Sequence, residues 1–109
     1  MTPVRYGVYL ANLDPTLGGE MKKTRPVVVV SQNTMNEHLD TVVVCPLTTA
    51  LHPTWRSRIQ IRCAGKAADG AVDQIRTISK ARLVKKLDAL PAAAADGVRH
   101  LIGERAGVA

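Results

Sequence analysis

Apolar positions dominate residues 7–13, which read as a first strand closed by Asp14-Pro15. Proline has no N–H for a ladder, and aspartate favours turns. Residues 16–24, rich in Gly and Lys, read as a loop. Residues 26–31 contain four consecutive valines, and such a run suits a strand buried on both faces. Residues 33–39 read as a short helix or turn. Residues 41–45 read as a β-branched strand stopped by Pro46. In residues 58–62 polar and apolar positions alternate, with Ile59 and Ile61 on one face, the mark of a half-buried antiparallel strand. A turn is expected at 66–70, a further strand at 71–78, a capped helical turn at 79–82 and a last strand at 83–87. Pro91 suits the first turn of a helix. Val98, Leu101 and Ile102 then fall at helical spacing, and Gly103 is expected to end the element. Gly97 inside that helix costs about 1 kcal/mol relative to Ala, so the helix depends on packing. Short strands followed by one helix predict a mostly β fold with some α: a small antiparallel barrel with short helices and a C-terminal helix, in one domain over 1–109.

Composition narrows the core and the partners. Phe is absent and aromatics are 3%, so the core must be aliphatic. With 46% hydrophobic and 22% charged residues, the chain is globular rather than disordered. A net charge of +6 over 109 residues points either to an anionic partner (nucleic acid, an acidic protein or a membrane surface) or simply to a generally basic, soluble protein. No basic stretch followed by an apolar one opens the sequence, and no apolar run nears the ~18 residues of a membrane span. Cys45 and Cys63 lie in strand-like stretches and read as small buried hydrophobes. A reduced, cytoplasmic protein with no membrane association is the expectation.

Several chemistries find no support. His38, His52 and His100 are widely separated, no Cys-x-x-Cys or His-Glu-x-x-His occurs, and no Gly-rich phosphate loop ends in Lys-Ser or Lys-Thr. No metal and no cofactor are therefore expected. Three segments remain. Gly18-Gly19-Glu20-Met21-Lys22-Lys23-Thr24-Arg25-Pro26 sets an acid, two lysines and an arginine ahead of the valine strand. Arg25 is anchored at its base and free at its head, so it is either a phosphate clamp or part of a solvated basic loop. Cys45-Pro46-Leu47-Thr48-Thr49 lies where a strand ends, a common place for functional groups. Thr48 either donates to a phosphate oxygen or bonds its own backbone. In residues 71–78, if Val72 faces the core, period two sends Gln74, Arg76 and Ile78 the same way. Gln reads base edges and Arg holds phosphate, unless the charges only guard a strand edge. Trp55, beside Arg56 and Arg58, either stacks an unpaired base or packs under its own loop.

Gly7-Val8-Tyr9 to Asp14-Pro15, Gly18-Gly19-Glu20 to Arg25-Pro26, the valine strand, Pro46-Leu47-Thr48 and Asp73-Gln74-Ile75-Arg76-Thr77-Ile78 together resemble the MazF/PemK (Kid) endoribonuclease toxins along nearly the whole chain. The resemblance implies an SH3-like barrel of the MazF/CcdB kind, a homodimer, and a MazE-like antitoxin with an acidic flexible tail. It implies metal-independent, sequence-specific cleavage of single-stranded RNA to 2′,3′-cyclic phosphate and 5′-hydroxyl ends. By position, Arg25 and Thr48 match the family's catalytic arginine and threonine. Glu20 matches a loop acid used by some members, and Gln74 a base-reading glutamine. Lys22, Lys23, Trp55, Arg56 and Arg76 are the further RNA-binding candidates. Some members carry an arginine two residues before the matched Asp73, where this chain has Ala71. The rivals are a CcdB-type gyrase poison, which is a binding protein, and a plain RNA-binding SH3-like module. The Arg25 and Thr48 pair favours the nuclease. CcdB-type poisons also use a Trp near the C-terminal end, and this chain ends Glu104-Arg105-Ala106-Gly107-Val108-Ala109 without one.

Overall fold

The computed structural model describes residues 2–13, 24–49, 51, 55, 58–63 and 65–106. The elements are β1 (Gly7–Asn12), β2 (Thr24–Val29), α1 (Asn33–His38), β3 (Thr41–Thr48), β4 (Arg58–Cys63), β5 (Lys66–Ala71), β6 (Arg76–Ser79), β7 (Leu83–Ala89) and α2 (Ala92–Ala106). Single 3₁₀ turns, Val72–Gln74 and Lys80–Arg82, precede β6 and β7. Every ladder is antiparallel, and the strands follow the order β4-β5-β3-β2-β1-β7, with β6 also on β3. Among the described residues no ladder joins β4 to β7, so the expected barrel is not a closed ring. The outer edge of β3 is divided: Thr41–Val44 pair with β6, and Leu47 and Thr48 pair with β5.

The valine run is buried on both faces, as its composition requires. Val28 and Val30 join one core cluster with Val8, Cys45, Leu47, Ile61 and Val98 of α2. Val27 and Val29 point the other way, into a second cluster with Tyr9, Ala11, Val42, Val44, Ile78 and Leu83. Period-two alternation in a strand with cover on both sides produces this division.

Four local expectations are corrected. Pro46 does not stop β3, which runs on to Thr48. It falls where β3 exchanges β6 for β5, and a residue without an N–H is tolerated at such a break in pairing. Residues 66–70 form strand β5 rather than a turn. The reversal from β4 lies between the paired Cys63 and Lys66, with Gly65 at φ +78°, a conformation glycine adopts without a Cβ penalty. Residues 71–78 are not one strand. The 3₁₀ turn at Val72–Gln74 breaks the alternation, so Val72 enters the first core cluster while Ile78 enters the second. Finally α2 passes through Gly103 to Ala106, because Gly103 does not take the positive φ of a helix-ending glycine.

Gly97 has a packing reason. A Cβ there would lie 2.6 Å from Ile59 Cδ1, so the missing side chain lets α2 settle onto β4. The turn after β2 is held by a buried polar network. Ser31 Oγ donates to Asn36 Oδ1 (2.5 Å), Asn36 Nδ2 donates to the Ser31 carbonyl (3.0 Å), and the Val43 N–H donates to Ser31 Oγ (3.1 Å). Ser31→Ala strands the Val43 donor and an amide oxygen away from water, which costs about 1–3 kcal/mol. The urea midpoint should fall with no change in slope, and an unaltered midpoint would refute this account of the network.

Candidate functional site

The ladder between β2 and β3 pairs Val29 with Val44, Val28 with Cys45 and Val27 with Pro46. Continued by two residues, the same register sets Arg25 across from Thr48. Both residues also share the sheet face of Val27, Val29, Val42 and Val44 by alternation. That face is closed core further along the strands and opens beyond Val27. There a cleft of about 550 Å³ is lined by Leu13, Arg25, Pro46, Leu47, Thr48, Arg58, Ala71, Gln74 and Arg76. The polar rim is thus a continuation of the apolar rows of the second core cluster.

Each side chain is placed by its element. Arg25 is in β2 opposite Ala11 of β1, so it belongs to the ladder rather than to the preceding loop. Its exposed side chain projects from that ladder toward the cleft. Thr48 ends β3 opposite Asp69, whose buried carboxylate accepts from Gln60 Nε2 at 3.0 Å. Arg76 opens β6 opposite Val44 and shares its face with Ile78. Gln74 ends the 3₁₀ turn that carries the chain from β5 to β6. The structure therefore brings together Arg25, Thr48, Gln74 and Arg76 of the predicted set. Glu20, Lys22, Lys23 and Arg56 lie outside the described residues.

Sequence reading missed Arg58. It faces Ala71 across the β4–β5 ladder, and its Nε donates to Asp73 Oδ1 at 3.0 Å. The small Ala71 side chain carries no charge, and the guanidinium beside Asp73 comes from the neighbouring strand instead. Its side chain is only 6% exposed, although the residue as a whole is half-buried. Trp55, 47% exposed, is not packed under its loop. Its ring lies 4.9 Å from the Arg58 guanidinium carbon, in cation–π geometry. The alternation at 58–62 marked Arg58 as a polar-face residue. Pairing it with Ala71 requires the β4–β5 hairpin, whose second strand the sequence pattern presents as a turn.

Cys45, buried in the first core cluster, is no nucleophile. Burial above all, then the nearby Asp73 charge, push its thiol up to about 12, with Arg58 acting in the opposite sense. Cys45 is buried as expected, whereas the Cys63 side chain lies outside the described residues. Among the described residues no group of three or more His, Cys, Asp or Glu is placed to hold a metal ion, and no helix is long and apolar enough to cross a membrane. Among the described residues, three guanidinium groups, one hydroxyl and one amide line an open cleft, with the Asp73 carboxylate bound to one of the guanidinium groups. This set can hold a polyanion's backbone and present hydrogen-bond donors to a phosphoryl group.

A family model for the PemK-like, MazF-like toxin of type II toxin–antitoxin systems matches residues 4–104. An endoribonuclease MazF from Staphylococcus epidermidis is 36% identical over 89 residues, covering 76% of this chain and 73% of that relative. Among solved structures, MazF in a MazE–MazF complex from Deinococcus radiodurans superposes with a TM-score of 0.83, at 20% identity over 100% of both chains. A mycobacterial endoribonuclease in complex with its cognate antitoxin gives 0.80, at 22% identity over 99% of this chain and 96% of that one.

Proposed function

Because the chain belongs to the PemK-like, MazF-like toxins of type II toxin–antitoxin systems, we propose that it is an endoribonuclease whose cleft cuts single-stranded RNA at short sequences without a metal ion. The observation that carries this reading is the cleft lined by Arg25, Thr48, Arg58, Gln74 and Arg76, with Arg25 and Thr48 on the continuation of the β2–β3 register. In the proposed reaction the substrate's own 2′-hydroxyl attacks the adjacent phosphorus. The O2′–P bond forms, the P–O5′ bond breaks, and the proton lost from O2′ is balanced by one gained at O5′. The products are a 2′,3′-cyclic phosphate and a 5′-hydroxyl. The protein must splay the strand, align the attack and neutralise the charge that develops on the non-bridging oxygens. Arg25 supplies that charge and Thr48 a hydroxyl donor. Gln74 reads a base edge. Arg76, with Lys22, Lys23 and Arg56, holds the flanking phosphates. Glu20 moves a proton or orders its loop.

The substrate is cytoplasmic RNA, and a MazE-like antitoxin silences the toxin by laying an acidic segment along the same cationic cleft. The working unit is a homodimer. Light scattering should therefore give about twice the 11.7 kDa chain mass at micromolar concentration, and the mass of one chain would refute the dimer. A gyrase-binding protein or a plain RNA-binding module has no need of the Arg25–Thr48 row. Purified protein in excess chelator should cut long single-stranded RNA to cyclic-phosphate ends and leave duplex DNA intact. A requirement for added divalent metal would sink the proposal.

A further inference from the structure

Among the described residues, Arg58 is the one cleft cation tied to the protein on several sides. Its Nε is held by Asp73 Oδ1 at 3.0 Å, and the Trp55 ring lies 4.9 Å from its guanidinium carbon. Its Nη1 is buried and has no hydrogen-bond partner among the described residues. Among the described residues, Arg25 and Arg76 have no acid at ion-pair distance, so they remain the carriers of positive field in the cleft. Arg58 is different: Asp73 already balances its charge, and what it offers a ligand is direction. A fixed, planar donor that has given up its water gains from an acceptor placed in its plane and is penalised by a donor there. Phosphate also accepts from such a fork, but it offers acceptors in every direction and so does not depend on one fixed orientation. A base edge makes full use of it.

Resting on the reading of the cleft as an RNA site, we infer that Arg58, braced by Asp73 and Trp55, is a specificity-determining residue. Its guanidinium selects, at one position of the bound strand, a base with a keto oxygen on the edge it presents. Guanine offers O6 beside N7, and uracil offers O4. Adenine and cytosine place an amino group at the corresponding position, and donor then meets donor. The half-exposed Trp55 ring, 4.9 Å from the guanidinium carbon, braces the group and widens the surface on which such a base rests.

The test is binding to a random-sequence pool of single-stranded RNA in which 2′-fluoro groups replace the hydroxyls, so that no 2′-hydroxyl can attack. The bound fraction is sequenced for the unaltered protein and for Arg58→Lys, which keeps a cation beside Asp73 but loses the planar fork. The unaltered protein should enrich guanine or uracil at one motif position by about tenfold or more. Arg58→Lys should lose that preference alone and retain the others. If Arg58→Lys does not fold, the neutral pair Arg58→Met with Asp73→Asn is read by the same criterion. An unchanged profile in the variant overturns the inference, as does no keto preference in the unaltered protein. A uniform loss of enrichment at every position overturns it too, since a phosphate contact or a structural role would give that result. Cleavage of ordinary RNA is scored separately, so failure of the nuclease reading shows as intact RNA beside a readable binding profile.

Discussion

Arg25→Ala should lower kcat on a cognate RNA by about 100-fold or more while changing affinity by only a few-fold. The asymmetry follows from where the charge is needed. In the ground state the scissile phosphodiester carries one negative charge, and other cleft cations hold the strand. In the transition state a second charge grows on the non-bridging oxygens, and a donor already aimed at them stabilises that state above the first. Loss of one such preorganised donor typically costs on the order of 100- to 1,000-fold in rate. Arg25 is suited to the role because its backbone is pinned opposite Ala11 in the ladder while its exposed head reaches the cleft. Thr48→Val should behave likewise, since it keeps the shape and removes only the hydroxyl. Neither residue belongs to the core clusters, so both variants should unfold at nearly the temperature of the unaltered protein. Near-normal turnover by folded Arg25→Ala would overturn the assignment.

Replacing the single ribose on the 5′ side of the scissile phosphate by deoxyribose should abolish cleavage there altogether. The substitution deletes the proposed nucleophile and one neutral hydroxyl, and it leaves every phosphate in place. In the proposed reading Arg25 and Arg76 contact backbone charge, so affinity should change only modestly, and for both strands it should fall steeply as salt rises. A hydrolase that activates water has no use for that hydroxyl and would still cut. Continued cleavage at the same bond would therefore exclude 2′-hydroxyl attack. Tight binding of both strands without cleavage of either would favour the module reading.

The elements that were legible beforehand owe it to local physics. Four valines in a row can be satisfied only by a strand covered on both faces, and the two core clusters divide them accordingly. Pro91 and the spacing of Val98, Leu101 and Ile102 likewise announced α2. Where a residue can serve two structures, the outcome depends on partners distant in sequence. Lys66–Ala71 is rich in Ala and Gly, as a turn would be. It forms a strand because β4 and the end of β3 pair with its two edges. Pro46 reads as a terminator, yet at that point β3 is exchanging one partner for another and needs no continuous ladder.

The candidate site divides in the same way. The amino-acid sequence by itself determined the aliphatic two-faced sheet, the excess of positive charge and the presence of Arg25, Thr48, Gln74 and Arg76 in segments that end or enter strands, because burial and charge are properties of residue types in local order. Only the tertiary structure decided which of them meet. The antiparallel β2–β3 register, continued past Val27 and Pro46, carries Arg25 toward Thr48 from 23 positions away, and both line one cleft. The β4–β5 hairpin carries Arg58 to Ala71 and Asp73, supplying from the next strand the guanidinium that the local sequence around Asp73 lacks. Cross-strand neighbours are set by pairing, and pairing is fixed by the cooperative burial of the whole sheet rather than by any short stretch of chain.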